Sequence, residues 1–520
     1  MTAMFDIGIV GAGIAANALL EEIVRVPGIR IAVFYGGSET ERVDSKDTVT
    51  ENHHPLRECS NAVFGGTSKT WGGRCVDYDD IDFIDRSYIN AKWPITKSDL
   101  KPFYSKACEF LEIGNPEFSA VRESACTVQE HGFTTTKLER WSLPLRIQSR
   151  MKAIGKWENV TLIGGFHVAR IESVSDGYRL ISSKESQSAI VCKICVVAAG
   201  GLGSTKLAIN SMRNEAFPLL GKCYQGHLSG KIANIIFNQP ASVDYGFRKD
   251  GEVYTRWRFQ PTAKHVLDNK LLNCALWVDN LPLYDHKHGN AILSFVYLLF
   301  SVPILSRFLA PPSIRKALLG AQKCLYKAHI RNVFTGFPSV IFFAVPFFFK
   351  RYVFRRKIPG FFLFSPGGKY ALHFHSEQEP RLDNEIIKNE KDYFEIKYSF
   401  SDTDCESVLR THKLLEKYLV ELGIGRLEYF SDDEKELKNL MKKKCQDGIH
   451  QIGTTRMAES KKDGFVDSDL QVFGYDGLYV LSSAVFPTSS QANPTFLLVV
   501  LAKRLGALLS AKVMSGENVY

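Results

Sequence analysis

No apolar run in this 520-residue chain is long enough to cross a bilayer. A spanning helix needs about 20 uninterrupted apolar residues, and the longest candidates, Ala291 to Leu309 and Val340 to Phe349, are each broken by a proline, Pro303 and Pro346. A multispan membrane protein is excluded. Also absent is any basic block interleaved with stacking aromatics. The run Lys442, Lys443, Lys444 is short enough to be a solvated helix end, so nucleic acid is not an expected partner. A net charge of +9 is modest at this length and hints only at an anionic substrate or an anionic membrane surface. The eleven cysteines fall without a repeating spacing, and a strand follows Met1 too closely for a cleavable leader, so a reducing, cytoplasmic setting is expected, at most at the inner face of a membrane. The single C-x-x-C, Cys192 and Cys195, lies in the strand-like run Ala189 to Val197. Residues three apart on a strand face opposite sides, so the pair is expected to be buried, and no metal site is expected. Internal repeats are lacking too.

What is present is the composition of a folded protein, with 45% apolar and 23% charged residues, in a chain long enough for two or more domains. Phe5 to Val10 reads as a buried parallel strand, followed by a glycine turn, an amphipathic helical stretch over Asn17 to Val24 and a second strand, Arg30 to Tyr35. Glu51 to Gly73 reads as an extended loop, and Trp93-Pro94-Ile95 as a turn into an amphipathic helix over Lys97 to Ile113. Val160 to Val197 has the pattern of a β-meander, with a turn at Ser175-Asp176-Gly177. Helices are expected over Ser407 to Gly423 and Glu434 to Lys444. The chain then gives a strand over Leu478 to Ser482, a Pro/Ser-rich loop through Pro494 and an apolar helix over Thr495 to Ala511.

Two glycine segments carry the first chemical signal. Gly11-x-Gly13-x-x-Ala16 puts small residues where a dinucleotide pyrophosphate must approach the backbone at a helix N-terminus, and it suits FAD and NAD equally. The carboxylate that usually ends the second strand and binds the ribose is replaced by Tyr35-Gly36, with Glu39 in the next turn. Gly65-Gly66-Thr67-Ser68-Lys69-Thr70-Trp71-Gly72-Gly73 lets backbone N–H groups approach a ligand, or serves as a hinge.

These segments, together with Trp93-Pro94-Ile95, Val196 to Thr205, His450-Gln451-Ile452-Gly453-Thr454-Thr455-Arg456-Met457 and Ala492-Asn493-Pro494-Thr495, resemble the glucose-methanol-choline (GMC) oxidoreductases in order and spacing. Within that family the chain looks similar to the bacterial branch related to pyranose oxidases and sugar dehydrogenases. The resemblance implies an α/β fold, α+β overall, with a Rossmann-like FAD-binding domain built from residues 1–75, 160–235 and 440–520. A substrate domain of antiparallel sheet and helices would come from residues 76–159 and 236–439. It implies cofactor contacts at Gly11, Gly13, Ala16, Gly66, Thr67, Ser68, Thr70, Trp71, Gly72, Gly73, Val168 (near the adenine), Ala199, Gly200, Ser204, Ser483, Ala484, Pro494 and Thr495. Thr70 stands where some relatives attach FAD through a histidine, so noncovalent FAD is expected. Where the family often has an acidic residue, this chain reads Val480-Leu481-Ser482-Ser483.

Alcohol oxidation requires removal of a hydroxyl proton and departure of a hydride to a cofactor, because no side chain accepts hydride. An imidazole titrating near neutrality suits the first task. His450 is the candidate base, and Asn493 the amide that holds the same oxygen. The expected partners are a small alcohol, sugar or polyol and an acceptor that is oxygen, a quinone or a redox protein. The Phe-rich stretch Phe342 to Phe349 beside Lys350 to Lys357 reads either as a bilayer-facing surface over about 340–364 or as core or subunit contact, within a divergent segment 290–365. In the bilayer case the substrate would be a lipid-linked or hydrophobic alcohol and the acceptor a quinone. A flavin-binding assembly protein without turnover and an NAD-dependent dehydrogenase are the competing classes.

Overall fold

In the computed structural model, residues 4–37, 46–120, 132–142, 145–212, 214–240, 243–309, 319, 325–349, 360–365 and 367–515 are described. Glu39 and the basic cluster Lys350 to Lys357 lie outside them. The glycine-turn segment builds a seven-stranded sheet in the order Val160–Gly164, Ile31–Tyr35, Met4–Val10, Ile190–Val197, Gly177–Ser182, Val168–Val174, with Leu478–Val480 also paired to Ile190–Val197. The central strands run parallel, in a register that aligns Val10 with both Phe34 and Val197, and Val197 with Val480. Their near-continuous apolar runs follow from burial on both faces. Of the predicted meander, the three strands from Val168 onward are antiparallel neighbours. Val160–Gly164 crosses instead to the far edge, parallel to Ile31–Tyr35.

The helix after the glycine turn, Ile14–Ile23, buries Ala15 to Leu20 and Ile23. It is not amphipathic as expected, because the C-terminal helix Thr495–Ser515 covers its outer side. A Cβ on Gly506 would lie 2.5 Å from Glu22 Cβ, so only glycine permits that approach. The helical stretch after Thr96 is broken into Lys97–Leu100, a 3-10 turn Lys101–Phe103 and Tyr104–Leu111, because Pro102 supplies no N–H and its ring clashes with the preceding turn. Asp402–Glu421 starts five residues before the expected Ser407, since Ser401 and Asp404 form a capping box. Glu434–Lys444 has its expected bounds.

A second, antiparallel sheet runs Cys274–Asp279, Lys369–Glu377, His227–Phe237, Gly425–Tyr429, with a core that includes Phe374, Leu409 and Leu415 from the adjoining helix. His227–Phe237 is a strand of this sheet, and residues 93–113 and 147–154 bury Trp93, Leu100, Phe110, Met151 and Ile154 in the first core. Cys192 and Cys195 are both fully buried.

This core holds an unusual number of neutral imidazoles. Burial pulls His373 down to about 3 and His412 to about 4, and it also lowers His53, His227 and His375. Each folded-state value lies below that of the unfolded chain, so below about pH 6.5 the unfolded chain binds the extra protons and stability falls as pH drops. Burial pushes Asp404 and Asp82 up to about 7, which acts in the opposite sense between about pH 4 and 7, but the buried histidines outnumber these carboxyls. We expect the melting temperature to decline steadily from pH 6.5 to 4.5, and to decline less steeply in His412→Phe. A flat profile over that range would contradict the burial argument.

Candidate active site

The two glycine segments meet. Gly65 donates its N–H to the Ala12 carbonyl at 3.1 Å, and a Cβ on Gly66 would sit 3.5 Å from Gly13 Cα. On the other side Ala198 donates to Val10 O at 2.8 Å, and a Cβ on Gly11 would fall 2.2 Å from Ala198 O. Two helix N-termini, Ile14–Ile23 and Gly200–Ser211, therefore stand side by side at the carboxyl ends of adjacent parallel strands; neither N-cap residue supplies a side-chain cap, though Gln451 Oε1 accepts the Leu202 N–H of the second at 2.9 Å. Such paired N-termini attract anions. Cβ atoms built on Gly13, Gly72, Gly165 and Gly200 would meet nothing within 4 Å. Asn17 and Ser204 are buried there with polar side-chain atoms that have no partner. Open space over glycines, bare N–H groups and orphaned polar atoms together suit a dinucleotide. A cavity of about 360 Å³ lies elsewhere, lined by Asp85, Arg86, Tyr88, Leu267 and Lys270.

Beyond the glycines the second strand ends at Tyr35. Its hydroxyl packs on Gly164, where a Cβ would approach within 2.7 Å, and its ring lies 4.9 Å from Phe64. Gly36 is covered by His167, directly before Val168.

His450 and Asn493, 43 residues apart, are in contact: the Asn493 amide nitrogen is 2.9 Å from His450 Nε2. Behind His450 stands a cluster that sequence reasoning missed. Asp447 is buried, and its Oδ1 accepts N–H groups from Gly448 at 2.7 Å, Ile449 at 2.9 Å and His450 at 3.2 Å. Its Oδ2 accepts the His227 N–H at 2.7 Å and faces His450 Nδ1 at 3.2 Å. Burial alone would push this carboxyl up, but the facing His450 and His227 hold it well below the usual carboxylate range. His227 and His375 stack with ring centroids 4.1 Å apart. Both are kept neutral by burial, against the pull of Asp447 on His227.

These contacts fix a proton arrangement. The Ser489 carbonyl, 3.1 Å from His227 Nε2, can only accept, so that nitrogen carries the proton and His227 Nδ1 the lone pair. His227 Nδ1 lies 2.9 Å from His450 Nδ1, so His450 donates from Nδ1, to His227 and to Asp447. With one proton on the ring, His450 Nε2 is then the lone-pair nitrogen, within reach of the Asn493 amide as donor.

The loop carrying Asn493 is pinned from several sides. Tyr78 donates to Ser489 O at 2.8 Å, Ser490 donates to Asp82 at 2.6 Å, and Gln491 donates to Asp79 at 2.8 Å. Arg258 donates to Gln491 Oε1 at 2.7 Å, and His375 Nδ1 to Gln491 O at 2.7 Å. Ser490 has φ of +58°, a left-handed backbone that these bonds hold in place. Burial, then Asp79 and Glu377, push Asp82 up to about 7.

Of the other expected residues, Thr67, Thr70 and Gly72 are exposed and Trp71 is half-buried. Ser68 donates to Gly65 O at 2.5 Å and Thr70 to Thr67 O at 3.2 Å. Gly73 takes a positive φ of 82°, and its carbonyl accepts from Ser142. Ala199 and Gly200 are exposed at the helix start, while Ala16 and Ala484 have no exposed surface. The Ser483 hydroxyl is spent on Gln451 O at 2.7 Å. Pro494 and Thr495 open the C-terminal helix, with Leu498 donating to Pro494 O. Only the spacing of Asp447, three residues before His450 in one turn, could have drawn notice in the sequence; His227 and His375 arrive from another sheet.

Comparison with known proteins agrees. Residues 376–502, which hold both His450 and Asn493, match the C-terminal family model described as GMC oxidoreductase. No curated protein matches the chain. Among solved structures, the chain is similar to pyridoxine 4-oxidase from Mesorbium loti at 14% identity, covering 97% of this chain and 99% of that one, with a TM-score of 0.56. A fungal aryl-alcohol oxidase shares 13% identity over 98% and 99% of the two chains, with a TM-score of 0.55. Formate oxidase from Aspergillus oryzae RIB40 shares 13% over 100% and 99%, with a TM-score of 0.54. At such identities the likeness is one of fold, and it extends over the whole chain. By residues 376–502 the chain resembles the GMC oxidoreductases, and over its full length it shares the fold of these solved structures.

Proposed function

We propose that this protein oxidises a CH–OH group of a sugar, glycoside or other polyol, using FAD held noncovalently, with His450 as the base. The observation that carries the reading is the contact of His450 Nε2 with the Asn493 amide at 2.9 Å, in the turn and loop that flank the Leu478–Val480 strand. FAD, when bound, supplies the acceptor for the hydride. The glycine turns and paired helix N-termini would hold its pyrophosphate, with Asn17 and Ser204 offering the unpartnered polar atoms. A carbinol entering between His450 and Asn493 gives its hydroxyl proton to Nε2, and the Asn493 amide then turns its donor to the same oxygen. That donor stabilises the negative charge that grows on the oxygen as the O–H bond breaks and that passes into the new carbonyl as the hydride leaves. Asp447 and His227 hold the ring by its Nδ1 and compensate the charge that His450 gains. The domain division that follows the two cores keeps residues 93–113 and 147–154 with the cofactor unit and His227–Phe237 with the substrate unit.

Anaerobic mixing with a panel of sugars, polyols and aryl alcohols should bleach the oxidised flavin with at least one donor. If no donor bleached it, the protein would be a flavin carrier and the proposal would fail. Reoxidation by oxygen, a quinone or a redox protein then sorts oxidase from dehydrogenase. Asn493→Ala should keep its flavin and slow reduction by about ten- to a hundredfold; an unchanged rate would remove Asn493 from the site. One solved relative, the formate oxidase, is described in terms of FAD modification, so the noncovalent state needs its own test. Acid precipitation should leave the yellow colour in the supernatant, and colour retained in the pellet would mean a covalent bond.

A further inference from the structure

One stretch of the chain has a charge unlike the rest. Between Asp285 and Glu377 there is no acidic residue and there are thirteen lysines and arginines. The whole chain is only +9, so the remainder carries −4. Most of the large apolar side chains exposed anywhere among the described residues fall in the same stretch. Phe342 is 81% exposed, Phe334 78% and Ile304 72%.

The geometry sorts these side chains by face. Helix Tyr326–Thr335 is tied to helix Ala291–Ser301 through its inner side, where the His329 ring stacks on Tyr297 at 4.3 Å. His329 Nδ1 is 3.0 Å from Ser294 Oγ, and Asn332 donates to Ser294 and to His286 O. The next helix, Phe337–Phe348, turns by 86° from Tyr326–Thr335 and buries Val340. Outward from both stand Ile330, Phe334, Phe337, Ile341 and Val345, each close to half exposed or more. Ile330 and Phe334 share one face of the first helix, and Phe337, Ile341 and Val345, four residues apart, share one face of the second. Lys327 and Arg331 flank the first face, exposed and without an ion pair among the described residues.

We propose that this bent helix pair is a docking surface for an anionic lipid bilayer, with the outward aromatics entering the acyl boundary and the basic residues meeting the head groups. Neither helix spans alone, since twelve residues reach about 18 Å against a hydrocarbon core of about 30 Å, and the two together, though long and apolar enough for a broken span, are bent by 86°. A 10- or 12-residue helix with one apolar stripe and flanking cations lies in the interface plane instead. Charge selects the occupant. Two copies joined through this face would bring two acid-free basic stretches together, whereas an anionic leaflet neutralises them. The inference stands apart from the flavin chemistry, since none of these residues touches the His450 site.

The test uses the full-length protein and sedimented vesicles. Phosphatidylcholine vesicles containing about 30% phosphatidylglycerol should bind it at least tenfold more tightly than pure phosphatidylcholine, and 0.5 M salt should release much of it. Phe334→Ser with Phe342→Ser should weaken binding at least tenfold with the circular-dichroism melting curve retained. Lys327→Glu with Arg331→Glu, which alters no apolar contact, should weaken it about fivefold for each charge lost. Protein that stays in the supernatant with the anionic vesicles overturns the proposal. So does a dimer in light scattering that the phenylalanine variant dissolves without any change in vesicle binding, which would give the face to a second copy.

Discussion

His450→Ala should bind FAD with the visible spectrum of the unaltered protein and yet be reduced by its donor at least a hundredfold more slowly. A positioned base contributes about 10² to 10⁴ in rate, and among the described residues His450 Nε2 is the unprotonated nitrogen that faces Asn493. Because the side chain is partly exposed, with 16% of its surface open, the truncation leaves room for added imidazole. Imidazole at millimolar concentration should restore part of the rate. Stopped-flow reduction in the absence of oxygen reads the chemical step directly. A variant that reduces at the original rate would exclude His450 as the base, whatever its effect on donor binding.

Asp447→Asn should be nearly as damaging, for a different reason. The replacement keeps an oxygen where Gly448, Ile449 and His450 donate their N–H groups, so the turn is retained. It puts an amide N–H where the carboxylate faced His450 Nδ1 and accepted the His227 backbone N–H, so that one buried N–H loses its acceptor at about 1–3 kcal/mol. His450 Nδ1 must then accept rather than donate, and the proton moves to Nε2, the position that has to be empty. In a serine-protease triad the equivalent change of tautomer costs about 10⁴ in turnover, and a loss of 10² to 10⁴ is expected here. Because the Asn493 face of the pocket is unaltered, kcat should fall with KM little changed. Added imidazole should give no rescue, since the cavity stays filled. Asp447→Ala is less informative, for it strands several buried N–H groups at about 1–3 kcal/mol each and mixes unfolding with catalysis. An Asp447→Asn protein with normal turnover would mean that the carboxylate merely shapes the turn.

The exposure of the His450 ring also separates its two neighbours. His227 is fully buried and His375 nearly so, and each already gives one ring nitrogen to a backbone carbonyl, of Ser489 and Gln491 respectively. They hold the floor of the pocket and the loop of Asn493 together, from strands of the second sheet. The three rings bring nitrogen atoms within 4.8 Å of one another, but the hydrogen bonds between His227, His450 and Asp447 give that closeness an account without a metal. These contacts fix one loop from two directions at once: Asp79, Asp82 and Tyr78 hold it from one side, and Arg258 and His375 from the other.

What the sequence determined by itself was whatever is written in neighbouring residues. The Phe5–Val10 strand and its glycine turn, the Glu434–Lys444 helix, and the His450 and Asn493 motifs all depend on periodicity, turn chemistry or a short pattern, and those are local. Tertiary structure alone decided the rest. The helix after the glycine turn looked amphipathic until Thr495–Ser515 was found to cover its other side, and His227–Phe237 joined the second sheet because its partners lie 130 to 200 residues downstream. Asp447 could be a turn residue in any loop. It faces the His450 ring from its own turn, and it gains His227 as a second partner only because a strand 220 residues earlier delivers that residue against it. A ring nitrogen takes its proton from the geometry of what surrounds it, and no spacing along the chain records that geometry.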